Sequence, residues 1–210
     1  MSGRRFHEIL NKVGRYYSDK VVAHGDTPSG VDWNSPESQG LRFEQLLKVC
    51  DTREPFSLTD YGCGYGALVD YMKDRGLVFT YRGYDISDVM LARARELHRD
   101  LDSCEFLGDE TRLTPTDYTV ASGVFNVKMD TSDEEWLKYV LATLGRFDSI
   151  SEKGFAFNIL TKYSDKEYMR DDLYYADPCF LFDYCKTKFS KEVSLLHDYG
   201  LYEFTIILRK

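Results

Sequence analysis

Residues 58–72 read LTDYGCGYGALVDYM. The stretch FSLTDYG, from Phe56, has the apolar content of a buried strand, and ALVDYMKDRG after it reads as a helix closed by Gly76. Between them stands Gly62-Cys63-Gly64-Tyr65-Gly66. Glycine there permits a sharp turn and lets a ligand lie against bare backbone, while the start of the following helix offers unpaired N–H groups. A strand, a glycine-rich turn and a helix in immediate succession point to a nucleotide-type cofactor site at the top of an α/β sheet. The dinucleotide turn has the spacing GxGxxG; here it is GxGxG, with Ala67 where the third glycine would stand.

Outward from this turn, strands and helices alternate. FTYRGYDIS is a second predicted strand, and Ser87 a predicted N-cap for a helix carrying Met90, Ala94 and Leu97. SCEFLGD and DYTVASGVF give a third and a fourth strand. Ser132 and Glu135 have capping-box spacing ahead of a long helix with Trp136, Tyr139, Val140 and Phe147 on one face. GFAFNIL is the fifth strand. Residues 161–176 are polar and tyrosine-rich, an excursion above the sheet. Pro178 opens a helix through Phe189, with Cys179 structural. EVSLLHD and YEFTIILR, joined by Asp198–Leu201, must run antiparallel because their connection is so short. Before the core, Phe6, Ile9, Leu10, Val13 and Tyr17 mark an amphipathic helix; residues 24–40 read as a long loop; Phe43, Leu46, Leu47 and Cys50 mark a second helix.

The pattern D-Y-G-C-G-Y-G resembles motif I of the class I S-adenosylmethionine-dependent methyltransferases, an acidic residue (here Asp60) followed by GxGxG. The resemblance runs through residues 56–210. It implies a three-layer Rossmann-like sandwich: a seven-stranded, mostly parallel sheet in the order 3-2-1-4-5-7-6, strand 7 antiparallel, with an N-terminal helical lid. It also implies S-adenosyl-L-methionine as cofactor, S-adenosyl-L-homocysteine as product, and no metal. Asp60, Gly62, Cys63, Gly64 and Gly66 would form the cofactor turn. Asp85, twenty-three residues after Gly62, would take the ribose hydroxyls, as a strand-end carboxylate can. Ile86 would pack on adenine and Asp109 receive its amino group. Ser122 opens a stretch, Ser122–Asn126, that resembles the motif IV loop. It lacks the Pro-Pro-aromatic tetrad of amino methyltransferases and the Pro-Cys of cytosine-C5 enzymes, and Asp177-Pro178-Cys179-Phe180 falls too late in the chain to replace either.

In that family the substrate pocket is built by the N-terminal segment and the insertion after strand 5. Trp33, Gln39, Tyr168, Tyr174 and Tyr175 are accordingly the expected substrate contacts, and Arg42 a candidate for the cofactor carboxylate. His24 and His197 are the candidate general bases, should the acceptor need one. The two insertions are expected to lie together over the methyl group and to close when ligands bind.

Composition narrows the partners. The 210 residues, read as one domain with a 1–52 lid segment, carry 27 Lys and Arg against 35 Asp and Glu, a net charge of −8. That is a poor basis for counterion-releasing contact with nucleic acid. No apolar run spans a bilayer and no h-region follows the first arginines, so a cytoplasmic protein with no membrane partner is expected. Five scattered cysteines and four histidines show no metal-ligand spacing. The expected substrate is a small molecule accepting methyl on O or N. A protein or carrier-bound substrate, and a non-catalytic Rossmann-like binding protein, are the alternatives. The oligomeric state is not legible.

Overall fold

A computed structural model describes residues 9, 12–15 and 35–210. Its frame is a seven-stranded sheet: β1 (Phe56–Tyr61), β2 (Phe79–Tyr84), β3 (Cys104–Leu107), β4 (Thr116–Ala121), β5 (Ser151–Leu160), β6 (Glu192–Leu196) and β7 (Glu203–Arg209). Among the described residues, the helices that pack on it are α1 (Pro36–Leu47), α2 (Ala67–Asp74), α3 (Asp88–Leu97), α4 (Asp133–Ile150) and α5 (Pro178–Lys188), with residues 12–15 helical as well. The strand order is β3-β2-β1-β4-β5-β7-β6, with β7 antiparallel to both neighbours, as the resemblance implies.

Side-chain alternation along the strands divides the core in two. Tyr61, Phe155, Phe157, Phe204, Ile206 and Leu208 point to the side covered by α4 and α5, where Val140, Leu144, Phe147 and Leu181 meet them. Leu58, Val120, Ala156 and Ile207 point to the other side, against Leu46 of α1, Leu68 and Met72 of α2, and Leu91 of α3. Each such fully buried aliphatic or aromatic side chain contributes ~1.5 to 3 kcal/mol of transfer free energy. A sheet covered on both faces is what a parallel sheet requires.

The polar residues of β1 have a use. Ser57 and Asp117 exchange bonds across the β1–β4 pair: the Ser57 N–H and hydroxyl donate to Asp117 Oδ2 (2.8 and 2.9 Å), and the Asp117 N–H donates back to Ser57 Oγ (2.8 Å). Thr59 and Thr116 hydroxyls lie 2.9 Å apart, and the Ser151 and Thr119 hydroxyls 2.8 Å apart. These buried hydroxyls satisfy one another, so burial costs them little.

Two boundaries differ from the sequence reading. Strand β5 begins at Ser151, directly at the end of α4, because the Ser151 hydroxyl closes the helix on the Phe147 carbonyl (2.6 Å) while its backbone already pairs with Thr116. Helix α1 begins at Pro36, inside the stretch read as loop. Ser35 caps it in a reciprocal bond with Ser38, and proline stands in the first turn, where its missing N–H costs nothing. The caps on Ser87 and Ser132 fall where the sequence puts them, and α5 opens at Pro178 as expected, capped by Asp177.

Candidate functional site

The glycine turn hangs from the end of β2. The N–H groups of Gly62 and Cys63 both donate to the Tyr84 carbonyl, at 2.7 and 3.0 Å. Gly62, Gly64 and Gly66 all have positive φ, at 83°, 54° and 87°. At Gly62 a side chain is excluded by space as well as by φ, since a Cβ would lie 2.2 Å from Val124 Cγ1. That closeness brings the turn and the motif IV loop together as two bare walls.

Two carboxylates back the turn. Asp85 is 9% exposed; its Oδ2 accepts from the Gly64 N–H and its Oδ1 from the Ser87 N–H, both at 2.8 Å. Each oxygen keeps a lone pair for a further donor. Burial pushes the Asp85 carboxyl up, against the pull of these backbone bonds. Asp60 is 4% exposed and accepts from the Tyr81 hydroxyl at 2.7 Å. Desolvation pushes its carboxyl up to about 7, with the Tyr81 bond opposing and the nearby Asp85 charge adding.

In front of the turn lies a cleft of about 930 Å³, its open mouth included. Its polar floor is Asp60, Gly62, Cys63, Gly64 and Asp85, and Ser122 and Gly123 form one wall. The motif IV wall is fixed by Asn158, which accepts from the Gly123 N–H (2.7 Å) and donates to Ser122 Oγ (3.1 Å). Gln39 of α1 reaches across to the Tyr65 hydroxyl at 3.3 Å. At the other end Ile86 and Met90 form an apolar ledge beneath Val13. Gly14 approaches Ile86 so closely that a Cβ on it would be 3.3 Å from the Ile86 side chain, and Lys12 is tied to Asp130 at 2.8 Å. Residues 12–15 therefore roof the Ile86 end.

These walls fit S-adenosylmethionine. The bare turn accepts close backbone approach, and Asp85 retains acceptors for ribose hydroxyls. Ile86 and Met90 offer a flat apolar ledge for a base, and aromatic faces suit a sulfonium.

The comparisons agree with this geometry. A family described as "Methyltransferase domain" matches residues 59–127, which hold the glycine turn, Asp85 and the motif IV loop. The protein named "Putative methyltransferase Rv1506c" of Mycobacterium tuberculosis is 49% identical over 164 residues, covering 78% of this chain and 99% of that one. The chain belongs to the class I S-adenosylmethionine-dependent methyltransferases. Among solved structures, the methyltransferase is similar in fold to the DhpI–SAH complex (TM-score 0.66, 14% identity, 96% of each chain). It also resembles the magnesium protoporphyrin IX methyltransferase of Synechocystis with bound SAH (TM-score 0.62, 15% identity, 96% of this chain and 99% of that one).

Several expected site residues lie elsewhere in the methyltransferase. Arg42 does not line the cleft: its Nε donates to Glu203 Oε2 at 2.9 Å, and the Glu203 side chain is wholly buried at the start of β7. A buried carboxylate needs a cation beside it, and that demand fixes the arginine. Asp109 is an exposed cap whose Oδ1 accepts from the Thr111 N–H (2.9 Å) and hydroxyl (2.6 Å), which holds its carboxyl below the usual range. It is outside the cleft lining, as are Tyr168, Tyr174, Tyr175 and His197. Tyr168 is exposed beside Tyr202, with ring centroids 6.0 Å apart. Tyr174 is buried in the core under α4 and α5, and Tyr175 accepts from the Arg170 N–H at 3.0 Å. His197 packs between Tyr163 and Phe204, just after the edge strand β6. His24 and Trp33 lie outside the described residues.

The sequence reading missed Val13, Phe43, Tyr61, Tyr84, Met90, Trp136 and Tyr139, which line the cleft. Trp136 and Tyr139 share a helical stripe with Val140, so they read as core. The available signal was position: both stand in the first turns of α4, at the carboxyl end of the strands, where open α/β sheets bind ligands.

Proposed function

We propose that this methyltransferase moves a methyl group to an oxygen or nitrogen of a small molecule. The reading assigns Asp60, Gly62, Cys63, Gly64, Gly66, Asp85, Ile86 and Ser122 to the cofactor and Gln39 to the substrate side. The observation that carries it is the confined aromatic cleft, shared by the glycine turn, α1 and α4. When bound, the cofactor supplies an electrophilic methyl on a sulfonium. The protein holds the acceptor in line with that methyl and keeps water away, and such orientation supplies much of the barrier reduction. The turn and Asp85 set the cofactor end, the Asn158-braced loop sets the wall facing it, and Gln39 with Tyr65 borders the acceptor side. No histidine among the described residues lines the cleft, so the reading favours an acceptor that arrives with its own lone pair, such as a neutral amine.

A second reading, a protein or carrier-bound substrate, is supported by exposed aromatic side chains on the insertion and beside it: Tyr163, Tyr168, Phe180 and Tyr202. Incubating the enzyme with methyl-labelled cofactor and cell extract, then separating small molecules from macromolecules, tests between them. Label confined to the small-molecule fraction is expected. Label confined to protein would overturn the small-molecule assignment.

A further inference from the structure

His98 caps the end of α3 and does not line the cleft, yet its imidazole lies directly behind the cofactor turn. It is 5% exposed and stacked on Phe106, with centroids 5.7 Å apart and planes within 19°. A Cβ on Gly66 would come within 2.8 Å of His98 Nε2 and 2.9 Å of Cδ2. The ring therefore abuts the last glycine of the turn, the residue that caps α2 in a left-handed conformation with no side-chain cap. Nε2 is buried and makes no hydrogen bond of ordinary geometry, facing the backbone of the turn instead. On the other side of the ring, Nδ1 lies 3.9 Å from Asp70 Oδ1 in the first turn of α2.

We propose that His98 is a positioning residue for the cofactor turn: its neutral ring props Gly66 and the start of α2 in the binding conformation, and protonation of the ring weakens cofactor binding. The sign follows from the surroundings. A cation placed behind the N-terminus of a helix opposes the helix dipole, and it would share that end with a positively charged sulfonium. Burial holds the imidazole below its usual value; Asp70 and the backbone of Gly66 and Tyr65 partly restore it, and Lys73 lowers it again. The charged side chains that act on the ring are Asp70 and Lys73 on α2; near them stand Cys104 on β3, which feels the same two charges, and Arg95 on α3, whose guanidinium is held by the Phe106 carbonyl at 2.8 Å. Asp70 is the one anion among them, and its side chain is 61% exposed, so solvent screens its hold on an imidazolium.

The test compares wild type with His98→Phe, which keeps a stacked ring and cannot ionise. The dissociation constant for S-adenosylhomocysteine is measured by calorimetry across pH. As pH falls below about 6.5 the wild-type constant should rise progressively more than that of the variant, by at most about tenfold per pH unit, the limit for one linked proton. Asp60 and Asp85 are present in both proteins, so their titration cancels in the comparison. Superimposable profiles, even with uniformly weaker binding, would overturn the proposal. If the variant does not fold, wild-type imidazole resonances titrated with and without S-adenosylhomocysteine decide the matter. A lower His98 pKa in the complex is expected, and an unchanged one overturns the proposal.

Discussion

Replacing Asp60 by asparagine should make the free protein more stable at mildly alkaline pH and less stable in acid. The folded carboxyl is raised from 3.8 to about 7. Above 3.8 the unfolded chain has released its proton while the folded chain keeps it, so stability falls as pH rises through this window and levels off above about 7. Some three units at 1.36 kcal/mol each make a destabilisation of about 4 kcal/mol at about pH 8, absent below about pH 4. Asparagine removes this pH-dependent penalty, and its Oδ1 can still accept from the Tyr81 hydroxyl. It introduces N–H donors at a buried site, at a cost of ~1 to 3 kcal/mol if they stay unpaired. The net expectation is a gain of ~1 to 3 kcal/mol at about pH 8 and a loss of similar size at about pH 4. For a chain of this length that is a shift in Tm of ~3 to 10 °C in each direction. Calorimetric melts of both proteins without cofactor, run across that pH range, give the comparison. S-adenosylhomocysteine should also bind the variant more weakly. A variant destabilised by the same amount at both pH values would refute the reasoning, because the carboxyl would then not be carrying a buried charge.

Gly62→Ala should lower cofactor affinity by at least about tenfold, or ~1.4 kcal/mol, since the new methyl meets Val124 and φ is positive; an unchanged dissociation constant in a folded variant would count against the cradle. Asp85→Ala should weaken S-adenosylhomocysteine binding by ~1.5 to 3 kcal/mol, the range for charge-assisted hydrogen bonds, with calorimetry as the check. Arg42→Met should cost ~3 to 5 kcal/mol by leaving Glu203 as an uncompensated buried charge, visible as a Tm lower by at least ~6 °C; a melt within a degree of wild type would contradict the buried pairing. Hydrogen exchange at the Tyr174 and Ala176 amides should be slow with or without cofactor, because they are bonded to the Asn126 and Leu160 carbonyls at 2.8 Å; fast exchange in the free protein would restore the expectation of a mobile insertion there.

The topology was legible because it rests on local signals: alternating strands and helices, caps at Ser87 and Ser132, a proline opening α5, and a terminal connection too short for anything but an antiparallel pair. The cofactor end was legible for the same reason, since the glycines and Asp85 act through backbone geometry fixed within a few residues of chain. The rest of the cleft was not. Whether Tyr139 faces core or cleft depends on where its helix crosses the sheet edge. Arg42 was misread because its partner, Glu203, stands at the other end of the chain. The insertion at 161–176 looked like a free lid because its composition is polar. What fastens it is backbone pairing with Asn126–Met129 and Leu160–Lys162, which has no side-chain signature. The Tyr65 hydroxyl accepts from Gln39 and so joins the turn to α1, a contact with no local sequence signal.

Titration calorimetry of the full chain with S-adenosylhomocysteine, and in parallel with NADH, bears on the cofactor assignment without reference to any acceptor. One equivalent of S-adenosylhomocysteine should bind with a dissociation constant on the order of micromolar, about −8 kcal/mol, and raise Tm as a native-state ligand must. NADH should give no saturable heat. Saturable binding of NADH with none of S-adenosylhomocysteine would contradict the account at its base, for the turn at Gly62–Gly66 would then serve a dinucleotide.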